Sequence, residues 1–300
     1  MHVLITGSSG LVGSALIPYL GERGWRVTRL LRRPSDEAGS AFWDPVEGIL
    51  DPAIFDGVDA VVHLAGAGIA DARWSESRKQ LIHSSRIGPT QLLSKVLAKL
   101  AGKGRGPRIL LSASAVGYYG DRGDEELTED STPGAGFLAN LCQEWEGATQ
   151  AAQDAGLRVV LLRSGIVLSA KGGALARMLP PFRLGLGGHL GSGNQYISWI
   201  SIQDSLSVLE LALTDPEIAG PLNVVSPNPV QNREFARVLG AVLHRPAVVP
   251  IPDIAVRLAL GDLADEMLFA GQRVKPLRLT RRGFAFALPD LQPAIEAALA

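Results

Sequence analysis

The chain has 300 residues, 46% of them hydrophobic, with 29 Lys+Arg against 30 Asp+Glu for a formal charge of −1. It lacks the basic surplus of a nucleic-acid binder, is too apolar for a disordered chain, and holds no run of about 18 apolar residues to span a membrane. A single cysteine, Cys142, excludes an internal disulfide and a thiolate zinc cage, so no metal site is expected. Met1-His2 runs straight into Val3-Leu4-Ile5 with neither the basic segment nor the cleavage site of a secretion signal, so the expected location is cytoplasmic.

Short β-rich runs alternate with longer helical ones through the first half of the chain. Val3–Thr6 is a predicted strand, Leu11–Glu22 an amphipathic helix with an awkward Pro18, and Trp25–Leu31 a second strand. Arg33–Gly57 is expected as loop, Ala60–Leu64 as the third strand, and Arg73–Ala101 as a helix broken or kinked at Gly88-Pro89. Arg108–Ser112, a helix Phe137–Ala155 and the strand Leu157–Leu162 follow. Apolar strands of four to six residues separated by helices imply a parallel sheet covered on both faces. The expected fold is therefore α/β, a Rossmann-type doubly wound sheet. Lys171–Gly193 is so rich in glycine that loop with one helical turn is expected, and Leu222–Val225 is a sixth core strand. Helices Glu234–Leu243 and Ile254–Ala270 close the chain. The domain reading is 1–225 for the dinucleotide-binding unit, with the Gly-rich 171–195 contributing to the substrate cleft, and 226–300 for a small, mainly helical C-terminal lobe.

The sharpest motif is Thr6-Gly7-Ser8-Ser9-Gly10-Leu11-Val12-Gly13, between a strand and a helix. A pyrophosphate needs unblocked backbone N–H groups at a helix N-terminus. Gly7 permits the turn, Gly10 the close approach and Gly13 tight helix–strand packing, with Leu11 and Val12 in the same first turn. No Gly-Lys-Ser/Thr follows, which excludes a Walker-type loop. At the end of the second strand stand Arg32 and Arg33, with no acid before Asp36. An acid there would hold the 2′-hydroxyl of NAD, whereas arginine suits the 2′-phosphate of NADP. The expected cofactor is NADP(H).

The glycine motif, Asp59-Ala60-Val61-Val62-His63-Leu64-Ala65-Gly66 and Trp199-Ile200-Ser201-Ile202-Gln203-Asp204 together resemble the extended short-chain dehydrogenase/reductase superfamily. Phe42-Trp43-Asp44-Pro45, Arg73-Trp74, Ser85-Arg86, Ser114-Ala115-Val116-Gly117-Tyr118-Tyr119-Gly120, Trp145-Glu146 and Arg163–Leu168 narrow the resemblance to its epimerase-family (NAD-dependent epimerase/dehydratase-like) subgroup. The resemblance implies that Leu64, Ala65 and Gly66 line the cofactor and that Arg86 contacts it.

The superfamily's proton chemistry uses Tyr-x-x-x-Lys and an upstream Ser, the lysine and the cofactor's charge lowering the tyrosine pKa. Ser114 stands at the serine position, but aligning Glu146 on the usual acid puts Leu138 and Cys142 where Tyr and Lys belong, and a shift by one gives Phe137 and Leu141. Neither register restores the pair. Tyr118 is the leading substitute proton donor, with Tyr119 beside it and a Cys142 nucleophile as a weaker alternative. His63 reads as a core histidine, His189 as a loop residue with a substrate contact left open, and Asp204 as a helix cap.

The function so implied is an NADP(H)-dependent oxidoreductase or epimerase-like protein acting on a small polar, sugar-nucleotide-like substrate. Its rival is a catalytically silent NADP(H)-binding sensor or interaction protein. No nucleic-acid or membrane partner is expected, and a homodimer is one assembly compatible with such a chain.

Overall fold

Val3 and Ile5 pack on one face of a central sheet and Leu4 on the other, so a strand with no polar alternation still obeys the two-residue period of a pleat. The computed structural model describes residues 1–247 and 249–300. Its elements begin with β1 (His2–Thr6), α1 (Leu11–Gly21), β2 (Arg26–Leu31), β3 (Ser40–Asp44), β4 (Ile49–Leu50), β5 (Ala60–His63), α2 (Glu76–Ala101) and β6 (Ile109–Ala115). They continue with β7 (Glu126–Leu127), α3 (Phe137–Gly147), α4 (Gln150–Asp154), β8 (Arg158–Ser164), β9 (Ile166–Leu168), α5 (Gly173–Arg183), β10 (Tyr196–Ile197), β11 (Trp199–Ser201) and α6 (Ile202–Thr214). The last third holds β12 (Gly220–Val224), β13 (Val230–Gln231), α7 (Asn232–Val242), α8 (Asp253–Leu260), β14 (Arg273–Val274), α9 (Leu277–Arg281) and α10 (Leu291–Leu299).

Eight strands form the main sheet in the order β12-β8-β6-β5-β1-β2-β3-β4, with every adjacent pair parallel except β3–β4. Helices α1 and α6 bury Leu16, Leu20, Leu209 and Leu213 against one face, and α2 buries Leu93 and Leu97 against the other. The expected doubly wound α/β fold is present. Strand order reverses between β1 and β5, so the loops leaving their carboxyl ends diverge and open the crevice where such sheets take ligands.

Several local expectations are corrected. The segment Arg33–Gly57 contains β3, which extends the main sheet because Trp43 is buried in the core beneath it. Helix α2 runs unbroken through Gly88-Pro89 from a Ser75 cap whose hydroxyl accepts from Arg78 N. The Gly-rich stretch contains the 11-residue α5, where Leu175, Leu179 and Phe182 form a buried stripe at helical spacing despite Pro180 and Pro181. Phe137–Ala155 divides into α3 and α4, and Ile254–Ala270 breaks at Gly261 (φ +62°), after which Ala264–Phe269 forms a π-helical turn. Asp204 is not the cap of α6. Ser201 is, accepting from Asp204 N at 2.9 Å, while the Asp204 carboxylate holds Ala287 N and Leu288 N at 2.7 and 3.0 Å.

Candidate active site

The turn between β1 and α1 lies at the switch point. Gly7 has φ +66°, and a Cβ there would stand 2.6 Å from the Leu64 carbonyl carbon; on Gly13 a Cβ would stand 2.3 Å from the Gly7 oxygen. These two glycines fit the turn to the loop after β5 and the helix to the turn. Gly10 is different: it is exposed, extended (φ −75°, ψ 172°), and a Cβ there would meet only the Gly7 oxygen at 3.2 Å. No side chain caps α1 and no acid lies in its first turn, and the N–H groups of Leu11 and Val12 donate no hydrogen bond among the described residues. A helix N-terminus of this kind suits phosphate oxygens. Arg32 and Arg33 lie exposed just past β2 and make no ion pair among the described residues.

A buried chain of hydrogen bonds supports the loop after β5. Thr6 Oγ1 accepts from Leu64 N and Ala65 N at 3.1 and 3.3 Å and donates to His63 Nδ1 at 2.7 Å. Thr90 Oγ1 donates to the Arg86 carbonyl at 2.7 Å, so it accepts from Trp145 Nε1 and from His63 Nε2, both at 3.0 Å. These bonds fix His63 as the Nε2–H tautomer. Burial brings its pKa down to about 4. His63 thus ties the glycine turn, the loop lined by Leu64, Ala65 and Gly66, helix α2 and helix α3 to one another.

Across the crevice, Ser114 lies one residue before the end of β6 and a 3₁₀ turn carries Tyr118 and Tyr119. Ser114, 5% exposed, donates to Glu146 Oε1 at 2.7 Å. Arg163 Nε and Nη2 each donate to a different Glu146 oxygen at 2.8 Å, and its Nη1 donates to the Tyr119 hydroxyl at 3.1 Å. Tyr119 donates onward to Asn223 Oδ1 at 2.7 Å, and burial pushes its pKa up to about 12. Its hydroxyl is part of the core, not of the cleft. Tyr118 is only half-buried, its hydroxyl has no hydrogen-bond partner among the described residues, and the Arg163 guanidinium lies 3.5 Å from its ring centre.

The opposite wall is α3. A Cβ on Gly117 would lie 3.3 Å from Leu138 Cβ and 3.9 Å from Cys142 Sγ, so these two side chains face the tyrosine turn. Burial first, then the Glu146 charge, pushes the Cys142 thiol up to about 12, which removes it as a nucleophile at neutral pH. The N-terminus of α3 is held from the C-terminal part of the chain, where Glu266 accepts from Phe137 N and Leu138 N at 2.8 and 3.1 Å. Sequence reading missed Glu266, which carries no local signal. The signal for Arg163 was available: a charged residue directly continuing the apolar run Val159–Leu162.

A pocket of about 140 Å³ lies between Gly117, Leu138 and Glu266, and shares Asp121 with a cleft of about 360 Å³. The larger cleft is lined by Asp124, Asp253, Arg257 and the end of the Gly-rich loop from Gly191 to Gln195. Its arginine is already taken, by Asp265 at 2.9 Å and Asp253 at 3.6 Å. The cleft is acidic. His189 lies outside it, its Nδ1 3.1 Å from the Gly191 carbonyl.

A glycine turn feeding an uncapped helix at the switch point of a doubly wound sheet defines a dinucleotide-binding protein of the Rossmann class. Residues 3–225 match the model of the NAD dependent epimerase/dehydratase family, and residues 251–298 match a domain of unknown function, DUF1731. The chain belongs to the NAD-dependent epimerase/dehydratase family. It is 47% identical over 284 residues to the epimerase family protein Mb2239 of Mycobacterium bovis, covering 95% of this chain and 93% of that one. It is 38% identical over 299 residues to the human epimerase family protein SDR39U1, covering 99% of each. A crystal structure of human SDR39U1 with NADPH matches this fold with a TM-score of 0.90 at 37% identity, over 99% of each chain. No helix among the described residues is long and apolar enough to cross a membrane.

Proposed function

We propose that this chain binds NADP(H) across the switch-point crevice and moves hydride to or from a small polar substrate, as an oxidoreductase or epimerase-type enzyme. The observation that carries the reading is the uncapped N-terminus of α1 behind an exposed Gly10, with two unpaired arginines past β2 on the adenosine side. Gly7, Gly10, Leu11, Val12 and Gly13 hold the pyrophosphate, Arg32 with Arg33 the 2′-phosphate, and Leu64, Ala65, Gly66 and Arg86 the remainder. Bound there, the cofactor supplies or accepts the hydride. The related human protein crystallised with NADPH supports the same choice of cofactor.

Tyr118 is the proton donor in this reading, because its hydroxyl is unengaged and Arg163 stands over its ring. The guanidinium on its electron-rich face holds the ring in place on the crevice wall. Ser114 has its proton committed to Glu146, so it offers a substrate lone pairs and orients a hydroxyl group. The acidic lining of the cleft favours a substrate without a pyrophosphate, since like charges repel in a half-enclosed site. The test is a turnover assay with NADPH or NADP⁺ over neutral polyols, hydroxyketones and nucleotide sugars. Turnover on the neutral compounds supports the reading, and turnover confined to nucleotide sugars refutes the substrate class.

The silent cofactor-binding protein is a second reading, favoured by Leu138 and Cys142 on the α3 wall. Neither can donate a proton at neutral pH. Tight NADPH binding without turnover on any of the panel would establish it.

A further inference from the structure

Arg86 is 6% exposed and forms no ion pair among the described residues. Its Nη1 donates to Ile82 O at 3.0 Å and Ser85 Oγ at 3.4 Å, its Nη2 donates to Ala67 O at 3.0 Å, and its Nε is buried with no acceptor. The Trp145 ring lies 5.0 Å from the guanidinium carbon. The buried carboxylate of α3, Glu146, is spent on Arg163 and Ser114. Burial draws the Arg86 pKa down to about 10, and the like charge of Arg78 pushes the same way, so the group stays a cation at neutral pH. A buried charge without a counter-ion is costly to keep. The chain keeps this one.

Its position is informative. A Cβ on Gly66 would lie 3.2 Å from the Arg86 guanidinium carbon, so the charge sits directly behind the loop after β5. A dinucleotide at a switch point spreads its adenosine toward β2 and its nicotinamide toward β5 and β6. Arg86 lies behind the loop after β5, on the opposite side of β1 from β2 and Arg32.

We propose that Arg86 is the fixed cation of the nicotinamide half of the site, and that its unneutralised charge makes the protein prefer the reduced cofactor, whose ring is neutral, over the oxidised cofactor, whose ring is cationic. This rests on the NADP(H) reading above. It is also compatible with Cys142: a lysine there would add a second buried cation on the α3 wall, in a position 3% exposed, and like charges repel strongly in a low-dielectric interior. A neutral side chain at 142 and an arginine on α2 are one solution to a single requirement.

The experiment titrates the natural protein with NADPH and, separately, with NADP⁺ at one pH and salt concentration, by calorimetry. NADPH binds more tightly by about tenfold or more, the scale of one charge–charge repulsion in a protein site. Arg86→Met reduces that ratio to about twofold, and Arg86→Lys retains it. Arg32→Ala, acting at a phosphate common to both forms, weakens both equally and leaves the ratio intact. If Gly10→Val and Arg32→Ala change neither affinity, the cofactor-site reading has failed. Failure of the present inference looks different: equal affinities in the natural protein, or an Arg86→Met variant that loses both cofactors by the same factor. Should Arg86→Met not fold, the natural ratio and its behaviour in Arg86→Lys still decide.

Discussion

Arg163 meets Glu146 as a fork, Nε and Nη2 each 2.8 Å from one carboxylate oxygen, with side chains 3% and 9% exposed. The arginine comes from β8 and the glutamate from α3, so the pair fixes the helix carrying Leu138 and Cys142 to the sheet at the register of Ser114 on neighbouring β6. Burial opposes the arginine's charge, but the bonds and charge of Glu146 and contact with Tyr119 outweigh it and raise its pKa. Removing one partner of a buried pair strands the other. Glu146→Ala is expected to cost roughly 3–5 kcal/mol in urea unfolding, while the double variant Glu146→Leu with Arg163→Met recovers most of it. A loss under 1 kcal/mol for Glu146→Ala would contradict the burial argument.

The glycines of the first turn should separate by role. Gly10→Val introduces a side chain where only the Gly7 oxygen is near, so the fold is retained and NADPH binding is lost. Gly13→Ala presses a methyl to 2.3 Å from the Gly7 oxygen and costs roughly 1–3 kcal/mol of stability as overpacking. Fluorescence titration of NADPH beside thermal unfolding of both variants checks the distinction.

Arg32 should set the preference for NADPH over NADH. A charge-assisted hydrogen bond is worth roughly 1.5–3 kcal/mol, or about 10- to 150-fold in affinity. Arg32→Ala is expected to weaken NADPH by that factor and leave NADH unchanged, with Arg33→Ala the smaller effect. Equal losses for the two cofactors would make Arg32 structural.

Tyr118→Phe is expected to lower turnover by about 10²- to 10⁴-fold with NADPH affinity held constant, because general acid–base catalysis works on that scale. Stopped-flow hydride transfer on an active substrate is the measurement. An active enzyme indifferent to Tyr118→Phe would move the search for the donor to the Gly-rich loop or the C-terminal helices.

His63 links stability to pH. Burial lowers its folded pKa from the ordinary 6.5 to about 4, so below pH 6.5 the unfolded chain takes up a proton that the folded chain refuses. Its contribution is complete above pH 6.5 and is lost as pH falls toward 4, at up to about 1.4 kcal/mol per pH unit. Urea midpoints at pH 7.5 and 5 should fall further for the natural chain than for His63→Gln. Parallel pH profiles would show that other groups govern the acid limb.

The sequence by itself determined the sheet, the glycine turn, the two arginines past β2 and the absence of Tyr-x-x-x-Lys. Each is a local matter: a continuous apolar run, a backbone conformation open to glycine, a residue type at a fixed distance from a strand end. Sequence reading failed where a long-range partner overrides local preference. Lys171–Gly193 reads as loop until the α5 stripe Leu175, Leu179 and Phe182 finds its place among Phe235, Leu239 and Ile295, which offsets Pro180 and Pro181. The resemblance marks Arg86 as a cofactor contact, but only the packing of α3 over it shows that its charge is buried without an ion-pair partner among the described residues. Ser114 and Glu146 lie 32 residues apart, and only the sheet makes them neighbours. Burial and pairing are properties of where segments meet, so the tertiary structure alone decided which tyrosine stayed free, which thiol became inert and which cation remained unneutralised.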